Sequence, residues 1–144
     1  MESLITIFVA FFLIGTIGFL KPSKKMKALS LIRMAASKEG FKIGSTNELR
    51  KKFKNWNSQV AIYQVKNSSD YKNLHFLRLE NELQLYAPIS FKYEKNFEIV
   101  REKISKLPSS ILEIIFFQSN IAIVWNEMLG IDELLKIKEA ILEI

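Results

Sequence analysis

The sequence predicts an α+β domain that follows a single N-terminal transmembrane helix. Residues 3–20, SLITIFVAFFLIGTIGFL, carry no charge. Beyond them, strand-like runs follow one another with amphipathic helical segments between and after them, which is typical of a two-layer domain with an antiparallel sheet and two to three packed helices. We expect an anchor at 1–21, a basic juxtamembrane helix at 22–40 and a domain at 41–144.

The apolar segment is interpreted as a retained anchor. Its 18 residues would rise about 27 Å as a helix, close to the ~30 Å hydrocarbon core of a bilayer. One alternative is a buried core helix, but every face of this segment is apolar. Another is a cleaved signal peptide, yet no Lys or Arg precedes the run and no A-x-A pattern follows it.

Charge is distributed unevenly along the chain, whose formal net charge is +6. Residues 21–54 hold eleven Lys or Arg against two Glu, whereas residues 55–144 hold ten basic and twelve acidic side chains. Because the basic residues follow the apolar run and none precedes it, the positive-inside rule places the domain in the cytoplasm of a bacterium. The predicted location is therefore the inner membrane, single-pass, with the N-terminus outside.

The basic collar at residues 21–54 predicts contact with anionic lipid headgroups. Nucleic-acid binding is the competing interpretation, and the position of the charge beside an apolar segment favours lipid. The predicted lipid contacts are Lys21, Lys24, Lys25, Lys27 and Arg33. A possible secondary basic patch consists of Arg50, Lys51, Lys52 and Lys54.

Helical periodicity predicts the α-elements. Residues 23–39 place apolar side chains three or four apart, and Gly40 can end that helix. Residues 45–48 fit the capping box S-x-x-E and open a short helix that carries Leu49, Phe53 and Trp56 on one face. Asn96 is a candidate cap for a third helix that ends at Pro108, and a closing helix starts near residue 131.

Strands are predicted from runs of β-branched and aromatic residues. A short strand covers 41–43, and segments 59–66, 71–79 and 83–86 are expected to form an antiparallel meander with a turn at Glu80-Asn81. Segments 111–117 and 121–125 form a hairpin. The run from 111 to 124 is apolar almost throughout, so either both faces of the sheet are covered or one presents a partner-binding patch.

The chain offers little for catalysis. The absence of cysteine excludes thiolate chemistry, and the single histidine, His75, excludes a multi-histidine metal site. His75 lies in a strand between Leu74 and Phe76 and is expected to pack. The helical pair Glu98 and Glu102 fits an ordinary charged helix face. No phosphate-loop, dinucleotide or hydrolase motif occurs. We therefore expect no catalytic, metal or cofactor site.

The layout resembles a family of single-pass inner-membrane proteins of gammaproteobacteria. The residues that carry the resemblance are Leu20-Lys21-Pro22-Ser23, residues 31–41 and the closing segment from Val124-Trp125. The junction at residues 20–23 is also similar to that of the translocase subunit YajC, whose apolar span is followed by a basic R-P segment. The similarity to YajC stops there, because this domain is longer and lacks a glycine-rich β pattern. Neither resemblance implies a functional residue.

The predicted function is a non-enzymatic accessory or protein-interaction domain on the cytoplasmic face of the membrane. Its expected partners are anionic headgroups and a protein, with nucleic acid disfavoured. The alternative is a tethered enzyme or small-ligand-binding domain. A convergent polar pocket around His75, Tyr63 or Glu113 would favour that alternative, and a flat apolar patch would favour protein binding.

Overall fold

The computed structural model describes residues 2–20, 23–44 and 46–144, without the side chains of residues 15–20. The helices are α1 (Glu2–Leu20), α2 (Lys24–Lys38), α3 (Asn47–Lys52), α4 (Phe97–Ser105) and α5 (Ile131–Leu142). The strands are β1 (Lys42–Ile43), β2 (Ala61–Lys66), β3 (Leu74–Leu79), β4 (Glu82–Ala87), β5 (Ile111–Phe116) and β6 (Asn120–Trp125). Short 3-10 helices occupy Ile89–Tyr93 and Glu127–Leu129.

The six strands form one antiparallel sheet in the order β1-β2-β6-β5-β3-β4. The fold is therefore α+β. The β5–β6 hairpin and the β3–β4 hairpin agree with the sequence prediction. Glu80 and Asn81 form the turn between β3 and β4, with φ values of 50° and 70°. The predicted meander is wrong, because β2 pairs with β1 and β6 and not with β3. The two most apolar strands, β5 and β6, take the central positions, where both faces are covered.

Helices α2, α4 and α5 cover the first face of the sheet. Their buried apolar side chains form one core with inward-facing side chains of the strands, and Ile43 of the short β1 packs against this core. Helix α2 contributes Ile32 and Ala36 to this core, so it is part of the domain's packing. Its first turn is capped by Ser23, whose Oγ accepts from the Met26 N–H at 3.2 Å. The core residues on the strands include Tyr63, Phe76, Ile114, Phe116, Ile123 and Trp125.

A smaller apolar cluster lies on the second face. Phe53 packs there against Ile62, Ile115, Ala122 and Val124. Helix α3 ends at Lys52, so the prediction of one helix extending through Phe53 and Trp56 is wrong. The chain leaves the helix at this point because the backbone N–H groups that follow it bond to a buried carboxylate. The N-cap is Thr46, whose Oγ1 accepts from the Leu49 N–H at 3.2 Å; Ser45, the predicted cap, lies outside the described residues.

Helix α1 carries large apolar side chains that are exposed along its described length. Within the described part of the chain, none of the helices is both long enough and apolar enough to cross a bilayer. The predicted transmembrane helix is therefore wrong, and so is the single-pass inner-membrane location derived from it.

Candidate functional site

A buried carboxylate organises the second face of the sheet. Glu113 on β5 is fully buried and accepts four short contacts. The Lys54 N–H lies 2.9 and 3.0 Å from its two oxygens, and the Asn55 N–H lies 2.7 Å from Oε1. His75 Nε2 lies 2.5 Å from Oε2. Since both oxygens are occupied by fixed donors, Glu113 holds the segment after α3 on the sheet.

His75 joins this carboxylate to the edge of the sheet. It lies on β3, next to β5, and its side chain is 12% exposed. Its ring stands 4.8 Å from that of Tyr86 on β4 and 6.5 Å from that of Phe53. His75 thus packs between aromatic rings, as its strand position predicts, and it also lies within hydrogen-bond distance of a buried carboxyl group, a contact that the sequence did not predict.

Cationic side chains lie over aromatic rings around this centre. Lys54 Nζ is 5.7 Å from the centroid of Tyr86, and Lys52 Nζ is 5.0 Å from that of Phe117. Arg50 Cζ lies 4.8 Å from the ring of Trp56. These distances are within the range of cation–π attraction. We call this set of residues the basic–aromatic face: Arg50, Lys52, Lys54, Trp56, Tyr86 and Phe117.

A second polar network connects α2 to the sheet. Arg33 Nε and Nη2 donate to the two oxygens of Glu127 at 2.9 and 3.0 Å, and the Tyr63 hydroxyl donates to Oε2 at 2.6 Å. Burial raises the pKa of Tyr63, and its bond to Glu127 raises it further. Burial opposes ionisation of Glu127, but the hydrogen bonds from Arg33 and Tyr63 outweigh it and lower the pKa of that carboxyl. The hydrogen bond to Glu127 likewise raises the pKa of Arg33.

The structure separates the residues that the sequence grouped as lipid contacts. Lys24, Lys25 and Lys27 are exposed on α2, whereas Lys21 lies outside the described residues. Arg33, in contrast, forms an ion pair with Glu127. The possible secondary patch is on α3 and the residues after it, and Arg50, Lys51, Lys52 and Lys54 are all exposed. The two groups therefore belong to different elements, and Arg50, Lys52 and Lys54 of the second group are the three cations of the basic–aromatic face.

Sequence reasoning missed the two buried carboxylates as organising groups. Glu113 interrupts an apolar run, and a single acidic residue inside such a strand is the signal that could have identified it. Glu127 gave no comparable signal, because its partners Arg33 and Tyr63 are 94 and 64 residues away. A shared polar pocket around His75, Tyr63 and Glu113 would have favoured an enzyme or a ligand-binding domain. These residues do lie in polar networks, but His75 and Glu113 belong to one network and Tyr63 to another.

The described residues contain no group of three His, Asp or Glu side chains that could hold a metal ion. Comparison with known proteins gives no further assignment. The chain matches no family model, no curated protein and no solved structure. The resemblance to gammaproteobacterial membrane proteins and to the YajC junction stays a prediction.

Proposed function

We propose that this protein is a non-enzymatic interaction domain whose basic–aromatic face binds an acidic segment of a protein partner. The observation that supports this most is the placement of Lys52 and Lys54 over aromatic rings. Among the described residues, neither lysine takes part in an ion pair. The rings hold the side chains in place while the ammonium groups keep their charge available for a partner.

The charges of this segment suit a carboxylate-rich ligand. Residues 46–56 contain four basic side chains and one acidic side chain, Glu48. An exposed ion pair contributes only about 0.2–1 kcal/mol, so affinity requires several pairs formed together. The backbone of this segment is already fixed by Glu113, which lowers the entropy cost of binding. Binding of this kind weakens as salt screens the charges.

An acidic polypeptide fits this face better than single-stranded nucleic acid. Binding of bases relies on aromatic faces that are open for stacking. Here a cation lies over each of the three rings, Trp56, Tyr86 and Phe117. The groups offered to a ligand are therefore the cations, which attract carboxylates without a stacking requirement.

The test measures binding of a fluorescein-labelled peptide of about twelve residues, rich in Asp and Glu, to the full-length chain by anisotropy. The double variant Lys52→Gln/Lys54→Gln is expected to weaken binding about 10- to 30-fold at low salt, from two lost pairs of up to ~1 kcal/mol each. The matched control Lys24→Gln/Lys27→Gln removes the same charge from exposed positions of α2.

Equal affinities of the two double variants would refute the proposal, since charge alone would then explain binding. Tighter, salt-dependent binding of a single-stranded oligonucleotide than of the acidic peptide would also refute it. Equal binding of a neutral peptide of the same length would show that the lysines play no part.

A further inference from the structure

Strand β4 forms one edge of the sheet, and its outer side carries backbone groups that are free to bond. The two-residue turn before β4 makes Glu82 the hydrogen-bonded partner of Leu79, and Gln84 occupies the next such position. Because bonded and non-bonded positions alternate, the N–H and C=O groups of Leu83 and Leu85 point away from β3. In the described part of the chain, no turn, loop or side chain supplies a partner for these groups.

The free edge is short and ends at defined positions. On one side it is limited by the turn at Glu80 and Asn81, where φ is positive. On the other side the pairing with β3 shifts its register next to His75, and Pro88 has no N–H to donate. Residues 82–86 remain, and an unpaired edge of this kind is a template for one added strand.

We propose that this edge pairs with β4 of a second copy of the chain, antiparallel, about a two-fold axis at Gln84. In this register Leu83 of each copy exchanges both of its backbone hydrogen bonds with Leu85 of the other. The outward groups of both residues are then all used, and the contact is the same for the two copies. The axis is perpendicular to the sheet, so the two sheets join into one and their second faces lie on the same side.

The exposed side chains of β4 favour this register. Glu82 and Tyr86 point to the second face, and Glu82 of one copy lies opposite Tyr86 of the other. The ring of Tyr86 is 5.7 Å from Lys54 Nζ, so a carboxylate meets an ammonium group at both ends of the interface. Within the described ranges Glu82 makes no ion pair of its own. An axis one residue earlier or later would move Glu82 away from Lys54.

The inference goes beyond the proposed function, because it concerns the pairing of two copies and needs no acidic ligand. The contact between Glu82 and Lys54 is exposed and weak, so the carboxylates of a ligand can replace it. Lys52 keeps its position over Phe117. The joined sheet therefore presents two basic–aromatic faces side by side.

Disulfide trapping in the full-length chain tests the pairing, because the chain has no cysteine of its own. In Gln84→Cys the two thiols meet at the axis, where Cα atoms of a non-hydrogen-bonded pair lie ~4.5 Å apart, within the ~4.4–6.8 Å that a disulfide spans. In Glu82→Cys, on the same strand and face, the two Cα atoms are about 13 Å apart, too far for a disulfide. Ser119→Cys, in the exposed β5–β6 turn, measures random collision.

After mild oxidation, a non-reducing gel should show at least 10-fold more covalent dimer for Gln84→Cys than for either control. No excess over Ser119→Cys would overturn the pairing of the two edges. As much dimer from Glu82→Cys as from Gln84→Cys would overturn the register.

A charge exchange in the Gln84→Cys background tests the side-chain contact. Glu82→Lys places like charges together and should slow dimer trapping about 5-fold at low salt, and adding Lys54→Glu should restore the rate to within about twofold. Glu143→Lys makes the same change of charge at an exposed position at the end of α5 and should change the rate less than about twofold. A loss in Glu82→Lys that Lys54→Glu does not reverse would overturn the proposed register.

Discussion

Replacement of Glu113 by alanine tests the anchor beneath the basic–aromatic face. The change leaves the backbone N–H groups of Lys54 and Asn55 and the His75 ring without their acceptor. A hydrogen bond contributes ~0.5–1.5 kcal/mol, and more when one partner is charged. Water can reach the partly buried donors and recover some of this energy. We expect the free energy of unfolding to fall by about 2–4 kcal/mol, because three such bonds are lost.

Urea unfolding of the full-length chain measures this loss. The midpoint should fall by about 1–2 M with an unchanged m-value. Glu113→Gln, whose amide oxygen still accepts, should lose about half as much. Glu102→Ala on the exposed side of α4 is the control and should change stability by less than ~0.5 kcal/mol. Hydrogen exchange at Lys54 and Asn55 should accelerate in Glu113→Ala. A loss below ~0.5 kcal/mol with unchanged exchange would refute the anchoring role.

Three further predictions concern single groups. The pKa of Glu127 is lowered in the folded state, so its ionised carboxylate contributes to the free energy of unfolding above the unfolded pKa of ~4.3, and this contribution disappears as pH falls through the folded pKa. The stability difference between wild type and Glu127→Gln should therefore shrink from pH 6 to pH 3 in denaturant titrations. Arg78 donates to three backbone carbonyls at 2.7–3.0 Å, and Arg78→Ala should cost about 2–3 kcal/mol in thermal or urea unfolding, with Arg78→Lys recovering less than half. Trp125 Nε1 is buried without an acceptor among the described residues, so Trp125→Phe should lose packing energy but no hydrogen bond, and a loss above ~3 kcal/mol would contradict this.

Local patterns in the sequence predict most elements of the domain. Helix α5 begins at Ile131 as expected, and the β5–β6 hairpin follows from two apolar runs separated by a polar turn. Alternation along β3 places Leu74 and Phe76 on one face of the strand and His75 on the other, and the structure confirms that the two faces differ in this way. These features depend on neighbours within a few residues, and such neighbours determine periodicity and turn chemistry.

Features that depend on distant partners were not predictable in this way. The end of α3 at Lys52 is set by Glu113, about sixty residues later, which binds the N–H groups that would otherwise continue the helix. The sheet order also depends on which strands pair across long stretches of chain, and the local pattern did not specify that β2 pairs with β6. Trp56 was assigned to the core from helical spacing, but it is 38% exposed because the helix ends before it.

The most direct test of the proposed function is a chemical-shift map of the full-length protein with the acidic peptide. If the basic–aromatic face binds it, the largest shifts should fall on residues 50–56, on Tyr86 and on Phe117, and they should disappear in Lys52→Gln/Lys54→Gln. Shifts concentrated on the exposed lysines of α2, or an unchanged map in that variant, would contradict the account.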